Sequence, residues 1–204
     1  SDRLADASHF RVDPGGSESN VAIGLAMLGH HVFHLTRLPN NPMGDLIVNR
    51  LRQYGVDVSR VRRGGQRVGC YWTETGIGPR PSRVIYDRED SAFSLWQTSQ
   101  EDWETLLSKV DRLHVSGITP AISQAAADTL LSVLEAAPES MNISMDLNYR
   151  GTLWRYVKGD LQSYVRERMA EYAKQCDVLL GNEMDFQQSL GFTIGDSPDV
   201  VDQY

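Results

Sequence analysis

The stretch DLNYR at 146–150 packs an acid, an amide, a phenol and a guanidinium into five residues, directly behind the apolar run MNISM. Polar side chains at that density, at the end of what reads as a buried strand, suit ligand binding and charge stabilisation. Arg150 is the sharpest of them. It reads as a buried cation at a strand end, which is costly unless it meets an anion. Either Asp146 is that anion and the pair is structural, or the anion is a substrate. Two further clusters, Ser116–Gly117 after RLHV and Gly181–Asn182–Glu183 after CDVLL, stand at the ends of similar runs. Any one of them also reads as a cap or turn, since Asp, Asn, Ser and Gly favour both. Three at successive strand ends point to one crevice, because ligands gather at the carboxyl ends of strands in open parallel sheets.

Two more groups of residues have chemical possibilities. In GGSESN the pair Gly15–Gly16 lets backbone amides approach a ligand with no Cβ in the way, and Asn20 can donate to and accept from a hydroxyl. That suits a polyol or sugar; the pair alone also reads as a plain turn. It is not a GxxxxGK[ST] phosphate loop, since no Lys follows. In the alternating run SRVIYDR, Tyr86 and Arg88 share a face, and Tyr71 lies in the neighbouring run VGCYWTETG. Two phenols and a guanidinium suit a hydroxylated carboxylate, with Arg bidentate on the carboxylate; ordinary cross-strand aromatics on a surface strand are the equal alternative. His30, His31, His34 and His114 show no metal-ligand spacing, and HVSGI is not the GxSxG nucleophile elbow.

These residues need elements to hold them. SESNVAIGLAMLG reads as a helix with Val21, Leu25 and Leu28 on one face and Ala22 and Ala26 beside them. HVFHLTRL reads as a strand, and GDLIVNRLRQYG as a helix ending at Gly55. Residues 67–88 read as a loose-tipped hairpin that HFRVD at 9–13 joins in a small antiparallel sheet. Strand, helix (119–137, capped by Thr119 with Pro120 at its first position), strand, helix (160–175) and strand follow. Short connections between alternating elements argue for a parallel sheet flanked by helices, an α/β fold. The expected division is an α/β core of 15–66 and 89–204 and a β lid of 8–14 and 67–88.

The net charge of −7 argues against nucleic acid or an anionic membrane as partner, but leaves room for an anionic small molecule in a local Arg pocket. Cys70 and Cys176 are far apart and read as buried thiols of a reducing, cytoplasmic compartment. No apolar stretch approaches the ~20 residues that span a bilayer. The opening SDRLADASHF is not a secretory signal, and the chain reads as starting in mid-fold.

With these residues in hand, the chain resembles the ribokinase-like carbohydrate kinases from about residue 10 to about residue 192. GGSESNVAIGLAMLG is similar to the family's amino-terminal signature, and TRLPNNPMGD to the next one. YDREDSAFS, SGITPAIS and DLNYRGTLW resemble the branch acting on 2-keto-3-deoxygluconate. The resemblance implies transfer of the ATP γ-phosphoryl group to that sugar acid, with Mg²⁺. The alternatives are a kinase for a neutral sugar such as fructose or ribose, and a non-catalytic sugar-acid-binding or dimerisation module. By position, Gly15, Gly16 and Asn20 would hold substrate hydroxyls. Tyr71, Tyr86 and Arg88 would bring the lid over the sugar acid, and Arg150 would stabilise the transferring charge. Asn182 and Asp185, in GNEMD, resemble an Asn-x-x-Glu motif that organises Mg²⁺ and phosphate; Asp185 is one methylene shorter than the usual Glu. The lid often forms a dimer contact, so a homodimer or higher assembly is expected.

One departure is large. The family's base is an Asp in a Gly-Ala-Gly-Asp turn, which does not occur here; Gly195–Asp196 is a poor substitute beside Pro198. The family places that motif, most of the adenine pocket and a first strand outside these residues. The expectation is therefore a fold truncated at both ends that does not turn over alone.

Overall fold

Asn41 opens the best-formed helix of the amino-terminal half. Its side chain accepts from the amides of Met43 and Gly44, both at 3.1 Å, and Pro42 takes the first helical position, where a missing N–H costs nothing. In this computed structural model, which describes residues 3–97 and 101–193, the chain divides into two compact units. The first comprises Ser1–Glu101 and Thr119–Leu130, the second Asp102–Ile118 and Leu131–Tyr204.

In the first unit, α1 (Ser17–Met27) follows Gly16, whose φ of 150° is one that only glycine adopts without strain. Ala22 of α1 forms a core with Val56 and with Leu51 of α2 (Pro42–Gln53); Ile23, Ala26, Val32, Ile47 and Val58 pack on it. The buried stripe of α1 is thus the small-residue one. Of the expected face, Leu25 and Leu28 are exposed, Leu28 at 77%. Alanines let neighbouring elements approach closely, which the bulkier leucine row would prevent. The strand expected over HVFHLTRL pairs only briefly. β1 (Arg37–Leu38) runs parallel to β2 (Arg62–Arg63), and a single parallel bridge links Phe33 with Asp57.

The hairpin belongs to this unit. β3 (Cys70–Glu74) and β4 (Arg83–Asp87) are antiparallel, with Tyr71 opposite Tyr86. The sheet has these two strands. Residues 9–13, expected as a third, form no strand; Phe10 instead packs edge-on against Trp72 at 4.9 Å, a side-chain contact in place of a ladder. Arg67 secures the hairpin base, pairing with Asp87 at 2.6 Å and donating to the Glu89 carbonyl at 2.8 Å.

In the second unit, β5 (Arg112–Ser116), β6 (Asn142–Asp146) and β7 (Val178–Leu180) form a parallel sheet in that order. Ile143 and Met145 of β6 alternate inward and are buried. Val165, Met169 and Tyr172 give α6 (Leu161–Ala173) a fully buried stripe at helical spacing. Asp160 caps α6, accepting from Gln162 and Ser163. The short helix α3 (Trp103–Leu107) precedes β5, and α7 (Glu183–Leu190) follows β7.

Between β5 and β6 the single expected helix is two: α4 (Ile118–Ile122) and α5 (Gln124–Glu135). Ser123 breaks them. Its Oγ accepts from the Ala126 amide at 3.1 Å and donates to the Ser94 carbonyl at 2.7 Å. Thr129 likewise donates to the Trp96 carbonyl at 3.1 Å. Thr119 is not the expected cap; its hydroxyl donates to Glu18. Among the described residues no helix is long and apolar enough to cross a membrane.

Candidate active site

The first unit brings four of the expected site residues to one place. A Cβ added to Gly15 would stand 2.5 Å from the Tyr71 hydroxyl oxygen, so a larger residue would have to push this hairpin side chain aside. Tyr71 and Tyr86 have ring centroids 6.4 Å apart. The Arg88 guanidinium carbon lies 5.0 Å from the Tyr86 centroid and 5.9 Å from that of Tyr71. The shared face expected of Tyr86 and Arg88 is therefore present, and the cation stacks on both rings. Among the described residues the Arg88 side chain makes no ion pair and no hydrogen bond, a notable state for a half-buried group with five donors. Burial pushes its pKa down, and the oxygens of Tyr86, Glu18 and Tyr71 push it back. Gly16 supports the turn by its backbone, and Asn20 is exposed on α1.

Residues that the sequence reading missed lie beside this group. Glu18, in the first turn of α1, accepts from Thr119 Oγ1 at 3.1 Å, and Ser19 Oγ meets His34 Nε2 at 3.2 Å. Burial pushes the His34 pKa below its ordinary value of 6.5, against the pull of Glu18. The unfolded chain then binds the proton more readily than the folded one. Folding stability should fall as pH drops through 6.5 toward the lower folded-state value. Urea denaturation across that range measures it, and His34→Gln should flatten the slope.

The second unit joins its three strand ends. The Gly117 amide donates to the Asp146 carbonyl at 2.8 Å and the Leu147 amide to the Leu180 carbonyl at 2.7 Å. Any Cβ on Gly117 would drive into the Leu147 carbonyl. Ser116 is fully buried, and its Oγ accepts from the Ile118 amide at 3.3 Å. Asn148 turns the chain at φ 36°, its amide donating to Asp146 Oδ1 at 3.1 Å in an Asx turn.

Asp185 binds the clusters together. One carboxylate oxygen accepts from the Tyr149 amide at 3.0 Å, the other from the Asn182 amide at 3.1 Å, and Asn182 Oδ1 accepts from the Asp185 amide at 2.9 Å. This is a capping box on α7 with a second amide, from the loop after β6, added to it. Arg150 is not the buried cation expected. Its side chain is 44% exposed, it donates to the Tyr149 carbonyl at 2.8 Å, and the carboxylate it approaches is Asp185, at 4.0 Å, rather than Asp146. The loop turns its guanidinium outward, which removes the burial cost.

Asp146 sits above its ordinary pKa of 3.8, chiefly through burial; the Asn148 amide opposes this and Asp185 adds to it. The folded chain thus holds that proton more tightly than the unfolded chain. Stability is lost as pH rises from 3.8 through the folded-state value. Asp146→Asn keeps the acceptor for Asn148 and removes the charge. We expect it to raise the thermal midpoint by about 1–2 °C near neutral pH, a modest gain because the group is partly solvated. Calorimetry should show that gain vanishing in acid.

The carboxylates do not build a cation cage: both oxygens of Asp185 already receive amides, and among the described residues no group of three or more His, Cys, Asp or Glu is placed to hold a metal. No residue here is assigned to Mg²⁺. Cys70 and Cys176 are free and half-buried rather than buried, and burial pushes the Cys176 thiol up to about 11. Gly195–Asp196 lies outside the described residues.

One unit thus carries polar clusters at the ends of a parallel sheet, and the other an aromatic hairpin bearing a cation. The pfkB family carbohydrate kinase model matches residues 1–204, and the chain belongs to that family. Among its relatives, the 2-dehydro-3-deoxygluconokinase of Thermotoga maritima, a crystal structure, superposes with a TM-score of 0.88 at 37% identity, covering 95% of this chain and 57% of that one. The 2-dehydro-3-deoxygalactonokinase of Haloferax volcanii is 31% identical over 203 residues, 99% of this chain and 61% of the relative. The 2-dehydro-3-deoxygluconokinase of Thermoproteus tenax is 33% identical over 190 residues, 92% of this chain and 56% of the relative. The chain thus spans somewhat over half the length of these relatives.

Proposed function

We propose that this chain supplies the sugar-acid-binding part of a kinase that transfers the ATP γ-phosphoryl group to a hydroxyl of 2-keto-3-deoxygluconate. One observation carries the reading: the Arg88 side chain, half-buried and stacked on Tyr71 and Tyr86, makes no ion pair among the described residues. A cation so placed suits a substrate carboxylate. The keto-deoxy sugar acids in the relatives' names support the same substrate class.

In the reaction the substrate hydroxyl oxygen forms a bond to the γ-phosphorus as the bond to the ADP oxygen breaks, and the hydroxyl proton leaves. Gly15, Gly16 and Asn20 hold hydroxyls, Tyr71, Tyr86 and Arg88 hold the acid end, and Arg150 meets the charge that spreads over the transferring oxygens. Asn182 faces the nucleotide end, with Asp185 fixing its backbone. ATP brings Mg²⁺ with it. The base is not assigned to any residue of this chain. A reducing, cytoplasmic setting is part of this reading, from the two widely spaced cysteines of the sequence. Exposed Trp72 and Ile85 of the hairpin, with Phe10 packed beside them on Trp72, support a homodimer through the lid, which sedimentation velocity measures.

The test is a coupled ADP-release assay of the complete kinase with 2-keto-3-deoxygluconate, fructose and ribose. We expect kcat/KM to favour the sugar acid by about 100-fold or more, since a site built for a charged group rejects analogues lacking it. Equal turnover of fructose overturns the reading. The 204-residue chain alone should give no sustained turnover.

A further inference from the structure

The hydrogen bond from Thr119 to Glu18 joins residues 101 positions apart in sequence, within the first unit. It fixes a carboxylate at the start of α1, where the helix dipole favours negative charge. Gly15, three residues earlier, touches Tyr71, and Tyr71 lies under Arg88. Ser19, the next residue, holds His34. The Glu18 field favours the charged forms of both Arg88 and His34, although Arg88 makes no ion pair within 4 Å among the described residues. Helix capping alone does not require the Thr119 bond. A stacked cation that must keep its donors open for a ligand needs a counter-charge near it but not bonded to it, because a direct salt bridge would occupy the fork.

We propose that Glu18, held by Thr119, is a positioning residue: a fixed counter-charge that keeps the Arg88 guanidinium over Tyr71 and Tyr86 while leaving its donors free for the substrate carboxylate. This rests on the sugar-acid reading only in its last clause. The geometry of Arg88 is tested without substrate.

Arginine labelled in the guanidino group gives a signal for Arg88, assigned by its loss in Arg88→Lys. In the 204-residue chain, Glu18→Gln and Thr119→Val should each quicken rotation about the Arg88 Nε–Cζ bond by about threefold or more, as expected when a charge-dependent restraint is lost. Glu18→Asp should restore part of it, and thermal unfolding shows whether each variant keeps its fold. Unchanged rotation in a folded Gln or Val variant overturns the proposal. In the complete kinase, Glu18→Gln should raise KM for 2-keto-3-deoxygluconate about tenfold with kcat nearly constant, the pattern of lost substrate binding. If rotation quickens while KM stays the same, Glu18 positions Arg88 and the carboxylate reading of Arg88 is what fails.

Discussion

Arg88→Ala should raise KM for 2-keto-3-deoxygluconate about a hundredfold in the complete kinase, while KM for fructose changes by no more than about twofold. The size follows from what the guanidinium is placed to do. A charge-assisted hydrogen bond contributes about 1.5–3 kcal/mol, and a bidentate pair in a half-buried setting stands at the upper end of that range. Removing the side chain also uncovers the faces of Tyr71 and Tyr86, which lie 5.9 and 5.0 Å from the guanidinium carbon. Arg88→Lys should recover only part of the loss: it keeps the charge but has neither the planar fork nor the stacking surface. Initial rates over a range of sugar-acid concentrations measure both. A KM for the sugar acid that is unchanged in Arg88→Ala would sink the carboxylate assignment and favour a neutral sugar.

The second large effect concerns folding. Asp185→Ala should lower the unfolding free energy by about 2–4 kcal/mol, because it leaves two amides without their acceptor, one of them the reciprocal bond of the α7 capping box, while Asn182 still caps the helix. The amides are those of Tyr149 and Asn182, and Asp185 itself is only 7% exposed, so water replaces the lost bonds poorly. Asp185→Glu is the informative comparison. Glu suits the capping box and should keep the Asn182 amide, but its extra methylene moves the second oxygen off the Tyr149 amide, so about half of the loss should persist. Guanidinium denaturation measures both variants. A change below about 0.5 kcal/mol in Asp185→Ala, the range of ordinary surface substitutions, would mean that the joint between the loops is not a significant contributor.

Why some features were legible in the sequence and others were not follows from the range of the forces. The strands β5, β6 and β7 and the helix after β6 announce themselves through apolar periodicity and turn residues, which are local signals. The hairpin register is local too, and it set Tyr86 and Arg88 on one face. Several of the misreadings involve partners distant in the chain, and one a tight turn. Leu25 and Leu28 look like the inner face of α1 until the small stripe of Ala22 meets Leu51 and Val56. Thr119 has the type and place of a cap, but Glu18 takes its hydroxyl. Arg150 looked buried because the strand before it is, yet the turn at Asn148 carries it outward. Glu18 gave one signal that went unread: an acid among the small polar residues of SESN, where the helix dipole alone seemed to account for it.

The interleaving of the two units bears on how the polypeptide acquires its structure as it leaves the ribosome. Residues 119–130 belong with the first hundred, and Ser123 and Thr129 bond to the carbonyls of Ser94 and Trp96. The amino-terminal unit therefore cannot finish until the nascent chain has emerged past Leu130, by which time β5 of the other unit is already outside the exit tunnel. Synthesis at about 5–20 residues per second makes that wait a matter of seconds, during which the carbonyls of Ser94 and Trp96 lack the hydroxyls of Ser123 and Thr129.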